Sequence, residues 1–309
     1  MSGSILVTGA GGALAKLVIS KLQKQNEIVA VDFREKPAFG EEIPCYRVNF
    51  TSRSFEDIFK KHDISGVIHL GRVGVHDASR QSRYNSNVTG TQNLLNHSHK
   101  YGVNRVLILS TFFVYGAHAY NPSLLTEESP LLASGLTKDL VDSVELENLA
   151  NIYLYKHPEL NITILRPCHI AGPGIRNSMS LLLSRQLTPV MVGFSPLMQF
   201  LHISDMAEAI MLAFTKNRKG IYNVAPEDWI PYQEALVECG CSRLPVPSLP
   251  PFLIHQLSDM LGWRTFPSYL INFLKYPVIL DGKKFRTIFD FKPKKQLSHI
   301  FKYYRNNKI

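Results

Sequence analysis

Three glycines near the start of the chain have the spacing of a turn that binds a diphosphate. Gly9, Gly11 and Gly12 follow a short apolar run, and a helical pattern begins directly after them. Glycine lets the backbone turn sharply and approach a phosphate, and the N–H groups at the start of the next helix point toward that phosphate. The motif has glycine positions at 9, 12 and 15. The last of these is Ala15 in this chain, at a position that governs helix–strand packing. We therefore predict a dinucleotide site whose diphosphate lies against Gly9, Gly11, Gly12, Ala13 and Leu14.

An acidic residue at the end of the second apolar run bears on the choice of cofactor. Asp32 follows residues 28–31, and its carboxylate can accept hydrogen bonds from the 2′-hydroxyl of an adenosine ribose while repelling a 2′-phosphate. Arg34 would soften that repulsion, so the use of both NAD and NADP stays open. We expect NAD, held at this point by Asp32, Phe33 and Arg34.

The composition is that of an ordinary globular chain. Its 309 residues are 45% hydrophobic and 19% charged, enough for one large α/β domain and a smaller lobe. No apolar run approaches the roughly 18 to 20 residues of a membrane-spanning helix, and the first strand begins too early to leave room for a signal peptide. The four cysteines have the spacing of neither a metal site nor a disulfide framework. We predict a cytoplasmic protein with no metal.

Positive charge is concentrated at the C-terminal end of the chain. The net charge is +9, and residues 275–309 hold ten Lys and Arg residues against Asp281 and Asp290. Aromatic residues alternate with these charges, and an apolar stretch from Phe252 to Leu274 precedes them. Two interpretations stay open: helices that close the small lobe and present a charged face to solvent, or docking on an anionic membrane surface. We do not expect a nucleic-acid partner.

Short apolar strands alternate with helical patterns along the first half of the chain. The predicted strands are 4–8, 27–32, 45–49, 66–70, 105–110 and 161–166. The predicted helices are 14–25, 53–61, 84–101 and 136–156. This alternation predicts an α/β fold with a Rossmann-type, doubly wound parallel sheet and a smaller C-terminal α/β substrate lobe. We expect the dinucleotide domain at 1–171 and the lobe with its basic tail at 172–309, partly interleaved.

Five further segments are similar to those of one protein family. They are Val67-Ile-His-Leu-Gly71, Asn87-Val-Thr-Gly-Thr-Gln-Asn93, Leu109-Ser-Thr111 with Val114-Tyr-Gly116, Arg166-Pro-Cys-His169 and Phe200-Leu-His-Ile-Ser-Asp205. With the glycine motif, they make the chain resemble the extended short-chain dehydrogenase/reductases, in particular the NAD-dependent epimerase/dehydratase branch, over nearly its whole length.

The resemblance implies roles for residues beyond the glycine motif. It implies Thr111 at the reacting hydroxyl or carbonyl group, and it implies a homodimer built on helices 84–101 and 136–156. Further contacts with the cofactor are implied for Asn49, Phe50, Leu70, Gly71, Arg72, Asn87, Ser110 and Pro167.

The residues with which such enzymes move a proton are not all present. The family's reaction needs a tyrosine as acid/base and a lysine four residues later, which lowers the pKa of the tyrosine and anchors the nicotinamide ribose. The chain has no Tyr-x-x-x-Lys between residues 116 and 160. Two alignments stay open: one places Ser134 and Lys138 at these positions, and the other places Asp139 and Ser143 there. Neither supplies a phenol, and the loss of a placed acid or base costs about 10²–10⁴ in rate.

Two other positions differ from the family in ways that bear on the substrate. His169 stands where these enzymes usually have an asparagine, and an imidazole titrates in a useful range. Met198 stands where nucleotide-sugar enzymes have an arginine that grips the diphosphate, so we also consider an apolar ligand. We predict that Thr111, His169, and Asp139 or Lys138 act on a small-molecule substrate. Three functions stay open: an oxidoreductase or epimerase-like enzyme with a rebuilt acid/base site, an NAD-bound sensor or scaffold without turnover, and a nucleotide-sugar 4-epimerase.

Overall fold

A seven-stranded parallel sheet forms the centre of the protein. The computed structural model describes residues 3–75, 78–248 and 269–309. The strands are β1 (Ser4–Thr8), β2 (Ile28–Asp32), β3 (Cys45–Arg47), β4 (Ile64–His69), β5 (Arg105–Leu109), β6 (Asn161–Pro167), β7 (His169–Ala171), β8 (Leu187–Met191), β9 (Leu197–Met198), β10 (Phe200–His202), β11 (Gly220–Val224), β12 (Ile230–Pro231) and β13 (Ser242–Val246). The large sheet has the order β11-β6-β5-β4-β1-β2-β3, and every neighbouring pair is parallel.

The helices connect successive strands and lie on both faces of the sheet. They are α1 (Ala13–Leu22), α2 (Arg53–Lys61), α3 (Arg80–Tyr84), α4 (Gly90–Lys100), α5 (Ala133–Leu136), α6 (Val141–Lys156), α7 (Ser178–Ser184), α8 (Ile203–Lys216), α9 (Tyr232–Glu238), α10 (Leu270–Phe273), α11 (Lys283–Phe289) and α12 (Leu297–Asn306). A π turn at Asn85–Thr89 joins α3 to α4, and a 3₁₀ turn at Lys138–Leu140 leads into α6. The two long predicted helices are therefore each divided near the carboxyl edge of the sheet.

The sheet is covered on both faces because its central strands are apolar on both sides. β1 and β2 are buried at every position, as expected of parallel strands between two helical layers. α1 and α8 pack against each other on one face. On the other face, α2, α4 and α6 contribute Phe55, Leu94 and Leu146 to a second core. The predicted fold class is confirmed.

The large domain and the small lobe exchange segments of chain. α8 and β11 follow residue 171, yet β11 pairs with β6 in the large sheet and α8 packs on α1. The lobe contains the parallel pairs β7–β10 and β8–β13 and the antiparallel pair β9–β12. The chain thus crosses the predicted boundary at 171, and the division into two domains stays a prediction.

The basic C-terminal segment packs against the rest of the protein. Phe285, Phe289 and Phe301 are buried in the main core. Phe285 and Phe289 contact Tyr222 of β11 in the large sheet, whereas α12, which carries Phe301, packs on α7 and α9 of the lobe. The aromatic side chains of the segment are therefore core residues, and membrane-surface contact stays a prediction. Most of the preceding apolar stretch, residues 249–268, lies outside the described residues. In the part of the chain that the structure describes, no helix is long and apolar enough to cross a bilayer.

The topology gathers the predicted site residues at one edge of the sheet. The strand order reverses at β1, which lies between β2 and β4. Open α/β sheets bind ligands at such a point, outside the carboxyl ends of the strands. The loops after β1, β2, β4, β5 and β6 all begin here.

Candidate active site

The loop between β1 and α1 comes so close to a neighbouring loop that only glycine fits at its start. Gly9 has φ +69°, and a Cβ built there would lie 2.6 Å from the backbone N and Cα of Gly71. The Gly12 N–H donates to the Gly9 carbonyl at 2.9 Å, which closes the turn. The first turn of α1 is covered from the lobe side, since a Cβ on Gly174 would lie 2.8 Å from that of Ala13. A close-approach turn at a helix N-terminus is the backbone that a dinucleotide diphosphate requires.

The carboxylate at the end of β2 is fixed by backbone groups. Asp32 is buried, and its two oxygens accept from the Gly11 N–H at 3.0 Å and the Arg34 N–H at 2.9 Å. The Glu35 carboxylate lies close by, 3.1 Å from where a Gly11 Cβ would stand. The Arg34 guanidinium lies over the Phe33 ring, 5.5 Å from its centroid. Two carboxylates at this point favour a ribose hydroxyl over a 2′-phosphate.

Six of the predicted cofactor residues line a single cleft at the switch point. The cleft is bounded by Phe33, Asn49, Phe50, Gly71, Arg72 and Asn87, together with Val73 and Ser86, which sequence reasoning missed. The strand end above it is held by the Leu70 N–H, which donates to the Thr8 carbonyl at 3.3 Å. Asn49 is exposed, and its Oδ1 accepts from Thr51, so the cofactor contact implied for it stays a prediction.

Asn87 shapes the wall of this cleft. Its Oδ1 accepts from the Val73 N–H at 2.8 Å, and its Nδ2 donates to the Val73 carbonyl at 3.0 Å. The same Nδ2 donates to Asp142 Oδ2 at 2.6 Å. The amide of Asn87 therefore ties the loop after β4 to α6, and this tie positions Arg72, the residue that precedes Val73.

Arg72 connects the cofactor cleft to the first turn of α6. Its Nη2 donates to the Ser143 hydroxyl at 2.5 Å. Removal from solvent lowers the pKa of Arg72, whereas the nearby carboxylates of Asp142 and Glu147 raise it. A guanidinium thus lies between the cleft and the position where α6 begins.

Ser110 and Thr111, which follow β5, have different surroundings. The buried Ser110 hydroxyl donates to Glu147, whose other oxygen accepts from Arg166 Nε at 2.8 Å. Ser110 is therefore part of a buried ion-pair network, and the cofactor contact implied for it stays a prediction. Thr111 is only partly buried, and its hydroxyl accepts from the Phe113 N–H at 3.3 Å. A hydroxyl that accepts in this way can still donate to a ligand.

Comparison with known proteins decides the family. The model of the NAD-dependent epimerase/dehydratase family matches residues 5–225. The chain belongs to this family. An uncharacterized protein of Mycobacterium tuberculosis is 23% identical over 303 residues, which cover 94% of this chain and 80% of that protein. The UDP-glucose 4-epimerase of Erwinia amylovora is 31% identical over 179 residues, which cover 53% of this chain and 52% of the epimerase.

Solved structures of similar fold extend over the whole chain. MoeE5 in complex with UDP-glucose and NAD has a TM-score of 0.78 and 22% identity, with 98% of both chains covered. The UDP-glucose 4-epimerase of Thermus thermophilus in complex with NAD has a TM-score of 0.78 and 18% identity, with the same coverage. The family depends on NAD, and the glycine turn with Asp32 fits that cofactor. The predicted cofactor is confirmed.

The acid/base positions of this epimerase/dehydratase-family protein have different surroundings in the two alignments. Ser134 and Lys138 are exposed. Asp139 and Ser143, four residues apart, both contact arginines: Asp139 Oδ1 accepts from Arg80 Nε at 3.0 Å, and Ser143 contacts Arg72. Of the two pairs, Asp139 and Ser143 are thus the one held by other side chains, and the alignment that places them at the family's tyrosine and lysine positions stays a prediction. Catalytic use of Asp139 or Lys138 stays a prediction.

His169 lies in an aromatic box. It is buried, with the rings of Phe112, Phe113 and Phe200 at centroid distances of 4.6, 5.8 and 5.4 Å. Burial lowers the pKa of His169 to about 3, so the imidazole is neutral near pH 7. A neutral imidazole among apolar rings is poorly suited to deliver a proton as an acid, which argues against the predicted catalytic role.

The substrate side of the cleft lacks a cation at the expected strand position. Met198 is buried in the main core. Arg176 is exposed, and Lys275 Nζ lies over the Phe194 ring at 5.9 Å from its centroid. Pro167 ends β6, where its contact with the cofactor stays a prediction.

A group of metal-type ligands occurs away from this edge. Among the described residues, His99, His157 and Glu159 bring ligand atoms within 4.8 Å of one another. They lie at the C-terminal ends of α4 and α6, opposite the cofactor cleft, and His99 Nε2 contacts Glu159 at 2.8 Å. Both imidazoles contact the Glu159 carboxylate.

Proposed function

We propose that this chain is an NAD-dependent oxidoreductase of the epimerase type that acts on a hydroxyl or carbonyl carbon of a small molecule through a rebuilt acid/base site. The observation that carries this proposal is the contact between Arg72 and Ser143 beside the cleft that Gly71 and Asn87 line. NAD supplies hydride acceptance and donation at its nicotinamide ring.

Arg72 replaces the charge that the family's lysine supplies from α6. Under the alignment with Asp139 and Ser143, Ser143 occupies the lysine position and its hydroxyl accepts from the guanidinium. A guanidinium keeps its charge at all physiological pH values and offers several donors in a fixed plane. One of its edges is held by Ser143, and its remaining donors would hydrogen-bond the nicotinamide ribose.

The substrate class is narrowed by the lobe. MoeE5 was solved with UDP-glucose and with UDP-glucuronic acid. In this chain the diphosphate anchor at position 198 is a buried methionine, and Lys275 beside Phe194 is a cation of the described lobe that could partly replace it. We propose that the substrate is a small-molecule alcohol or ketone. A nucleotide sugar and a more apolar ligand are the two substrate classes to test.

A second function, an NAD-bound sensor without turnover, is favoured by one observation. His169 is enclosed by aromatic rings and Asp139 is in an ion pair with Arg80, so two of the predicted proton-transfer groups are engaged. The two functions differ in whether bound NADH is ever oxidised.

Hydride exchange distinguishes the two functions. The purified protein is titrated with NAD and NADH by calorimetry, then incubated with NADH and a panel of UDP-sugars, ketones and aldehydes while absorbance in the near ultraviolet follows the reduced nicotinamide. We expect NADH oxidation with at least one compound, and a large loss of rate in Arg72→Ala with partial recovery in Arg72→Lys. Tight NAD binding with no oxidation by the panel would support the sensor.

We also propose that two copies associate through α4 and α6, as the family resemblance implies. α6 exposes Ile152 and Tyr155, 58% and 77% accessible, which are three residues apart and so lie on one side of the helix. Light scattering after gel filtration should give a dimer mass for the wild type and a monomer mass for the double variant Ile152→Lys/Tyr155→Lys.

A further inference from the structure

A tyrosine from another part of the chain lies beside the residues expected to do the chemistry. Tyr269 precedes α10 and is buried. Its ring meets the Phe113 ring edge-on at a centroid distance of 5.4 Å, and Phe113 follows Thr111 by two residues. Phe113 also contacts the His169 ring at 5.8 Å. Tyr269 is therefore packed against the turn that carries Thr111.

The phenol of Tyr269 faces the boundary between the large domain and the lobe. Its oxygen lies 3.5 Å from the hydroxyl oxygen of Ser178, the first residue of α7. The charges that act on it are those of Arg72, Asp139 and Arg83, all from the large domain. The ring contact with Phe113 and the hydroxyl contact with Ser178 place the phenol between the turn after β5 and the start of α7.

We propose that Tyr269 supplies the phenol that is absent from position 139 and acts as the acid/base of the reaction, with Arg72 as its neighbouring cation. This inference rests on the proposed function. A tyrosine at the family position would have come from residue 139, which is an aspartate here. Tyr269 reaches the same neighbourhood from the lobe, and the arginine that contacts Ser143 takes the part of the lysine. Both members of the pair are thus present in space but come from different segments.

The proton and hydride balance is simple. When a secondary alcohol is oxidised, its C–H bond breaks and the hydride passes to NAD⁺. Its O–H bond breaks at the same time, and the proton passes to the Tyr269 phenolate. In the reverse direction the Tyr269 phenol protonates the carbonyl oxygen, while the carbonyl carbon would accept the hydride that bound NADH supplies. Thr111 would donate a hydrogen bond to that oxygen in both directions.

The surroundings of the phenol determine its protonation state near neutral pH. Burial raises the pKa of Tyr269, Asp139 also raises it, and the contact with Ser178 and the charge of Arg72 lower it. The free protein therefore holds the neutral phenol, the form that donates a proton during carbonyl reduction. Alcohol oxidation needs the phenolate, so its rate should rise tenfold for each pH unit up to the phenol pKa. A bound nicotinamide cation would add a second positive charge and lower the pKa.

The test compares the full-length wild type with Tyr269→Phe and, as a control, with Tyr303→Phe. Tyr303 is a partly buried phenol of α12. Ultraviolet difference titration of phenolate absorbance, wild type minus each variant, reports the removed phenol alone, with and without NAD⁺. We expect the Tyr269 difference signal to move to lower pH by about one unit or more when NAD⁺ is added. The Tyr303 signal should not move.

The kinetic arm uses UDP-glucose and NAD⁺, with bound NADH followed by its near-ultraviolet absorbance, and the reverse reaction with NADH and the carbonyl panel. We expect Tyr269→Phe to lose about 10²–10⁴ in rate and to lose the pH dependence of oxidation, while NAD affinity stays within a few-fold. A Tyr269 signal that NAD⁺ does not move overturns the proposal even if no probe is turned over. Unchanged or faster turnover in Tyr269→Phe also overturns it, and a faster rate would mean that the ring obstructs the cleft. Failure of the wild type to bind NAD would instead overturn the proposed function.

Discussion

The nucleotide half of the cleft and its acid/base half are held by different kinds of contact. In the nucleotide half, backbone N–H groups hold the key side chain: Gly11 and Arg34 donate to the carboxylate of Asp32. In the acid/base half, side chains from distant segments hold one another, as Arg72 does with Ser143, 71 residues apart in sequence. The first half is therefore encoded locally, and the second depends on tertiary packing.

This difference explains why one half follows the family pattern and the other does not. A turn held by its own backbone fails if a glycine is replaced, so its residue types are fixed by geometry. A proton-transfer group needs only to reach the right place, and a charge or a phenol can come from any segment that ends there. Arg72 and Tyr269 illustrate this freedom.

Disruption of the buried network under the acid/base half should give the largest effect. Arg166 and Glu147 form a buried ion pair, with side chains 4% and 1% exposed. Glu147→Ala leaves the guanidinium without its anion, which costs about 3–5 kcal/mol in the free energy of unfolding. Urea denaturation measures this loss. The control is Glu145→Ala, half-buried on the same helix, for which we expect a change of about 0.5 kcal/mol or less. Equal effects of the two variants would contradict the structural role of Glu147.

The nucleotide half of the cleft can be tested with two glycines of the same φ. Gly9 and Gly102 both have φ +69°, but a Cβ meets the Gly71 backbone at 2.6 Å only from Gly9, and nothing lies within 4 Å of it at Gly102. Left-handed backbone costs about 1–2 kcal/mol for a residue with a side chain, so Gly102→Ala should lose that much stability. Gly9→Ala should lose more, because its Cβ must also displace the Gly71 backbone. Gly9→Ala should in addition lose about 10²-fold in NAD affinity by calorimetry, whereas Gly102→Ala should bind NAD as the wild type does. A normal affinity in Gly9→Ala would show that the close approach of the two loops is unnecessary.

The same division decides what can be predicted from the sequence. The alternation of apolar strands and helices, the glycine turn and Asp32 depend on neighbours within about thirty residues, and the fold, the family and the cofactor are confirmed. The sequence predicts Asn87 at the cofactor; Asn87 lines the cleft, and its amide also ties Val73 to Asp142. That second role cannot be predicted because both partners are reached only through the fold.

The acid/base half is harder to predict for the same reason. His169 stands at a position that contacts substrate in the family, but Phe112 and Phe200 enclose it. Tyr269 lies far from Thr111 in sequence, and no spacing rule connects them. The sequence offers one signal of such a residue, which is the presence in the lobe of tyrosines that have no assigned role.

The enclosed imidazole of His169 should make stability sensitive to acid. Burial lowers the pKa of His169 to about 3 from an ordinary value of 6.5, so the folded state binds its proton only well below the pH at which the unfolded chain does. Stability from this group is complete above about pH 6.5 and is lost as pH falls, by up to about 1.4 kcal/mol per pH unit. Urea denaturation between about pH 4.5 and 6.5 should show a smaller slope for His169→Phe than for the wild type. The slope that remains includes a contribution from His69, because burial lowers the pKa of His69 to about 4. If His169→Phe also abolished hydride transfer, the aromatic box would be part of the chemistry.

The smallest expected effect concerns the choice between the two alignments. Lys138 is exposed, so Lys138→Ala should leave hydride transfer and NAD affinity within about twofold of the wild type, as expected of a surface substitution. Ser143→Ala, by contrast, removes the acceptor that orients Arg72 and should weaken NAD binding by about one hydrogen bond, roughly fivefold to tenfold. Calorimetry with NAD measures both. If Lys138→Ala were the more damaging of the two, the lysine would be reaching the ribose from the 3₁₀ turn. The acid/base half would then follow the family's local pattern after all, and the contrast between the two halves would disappear.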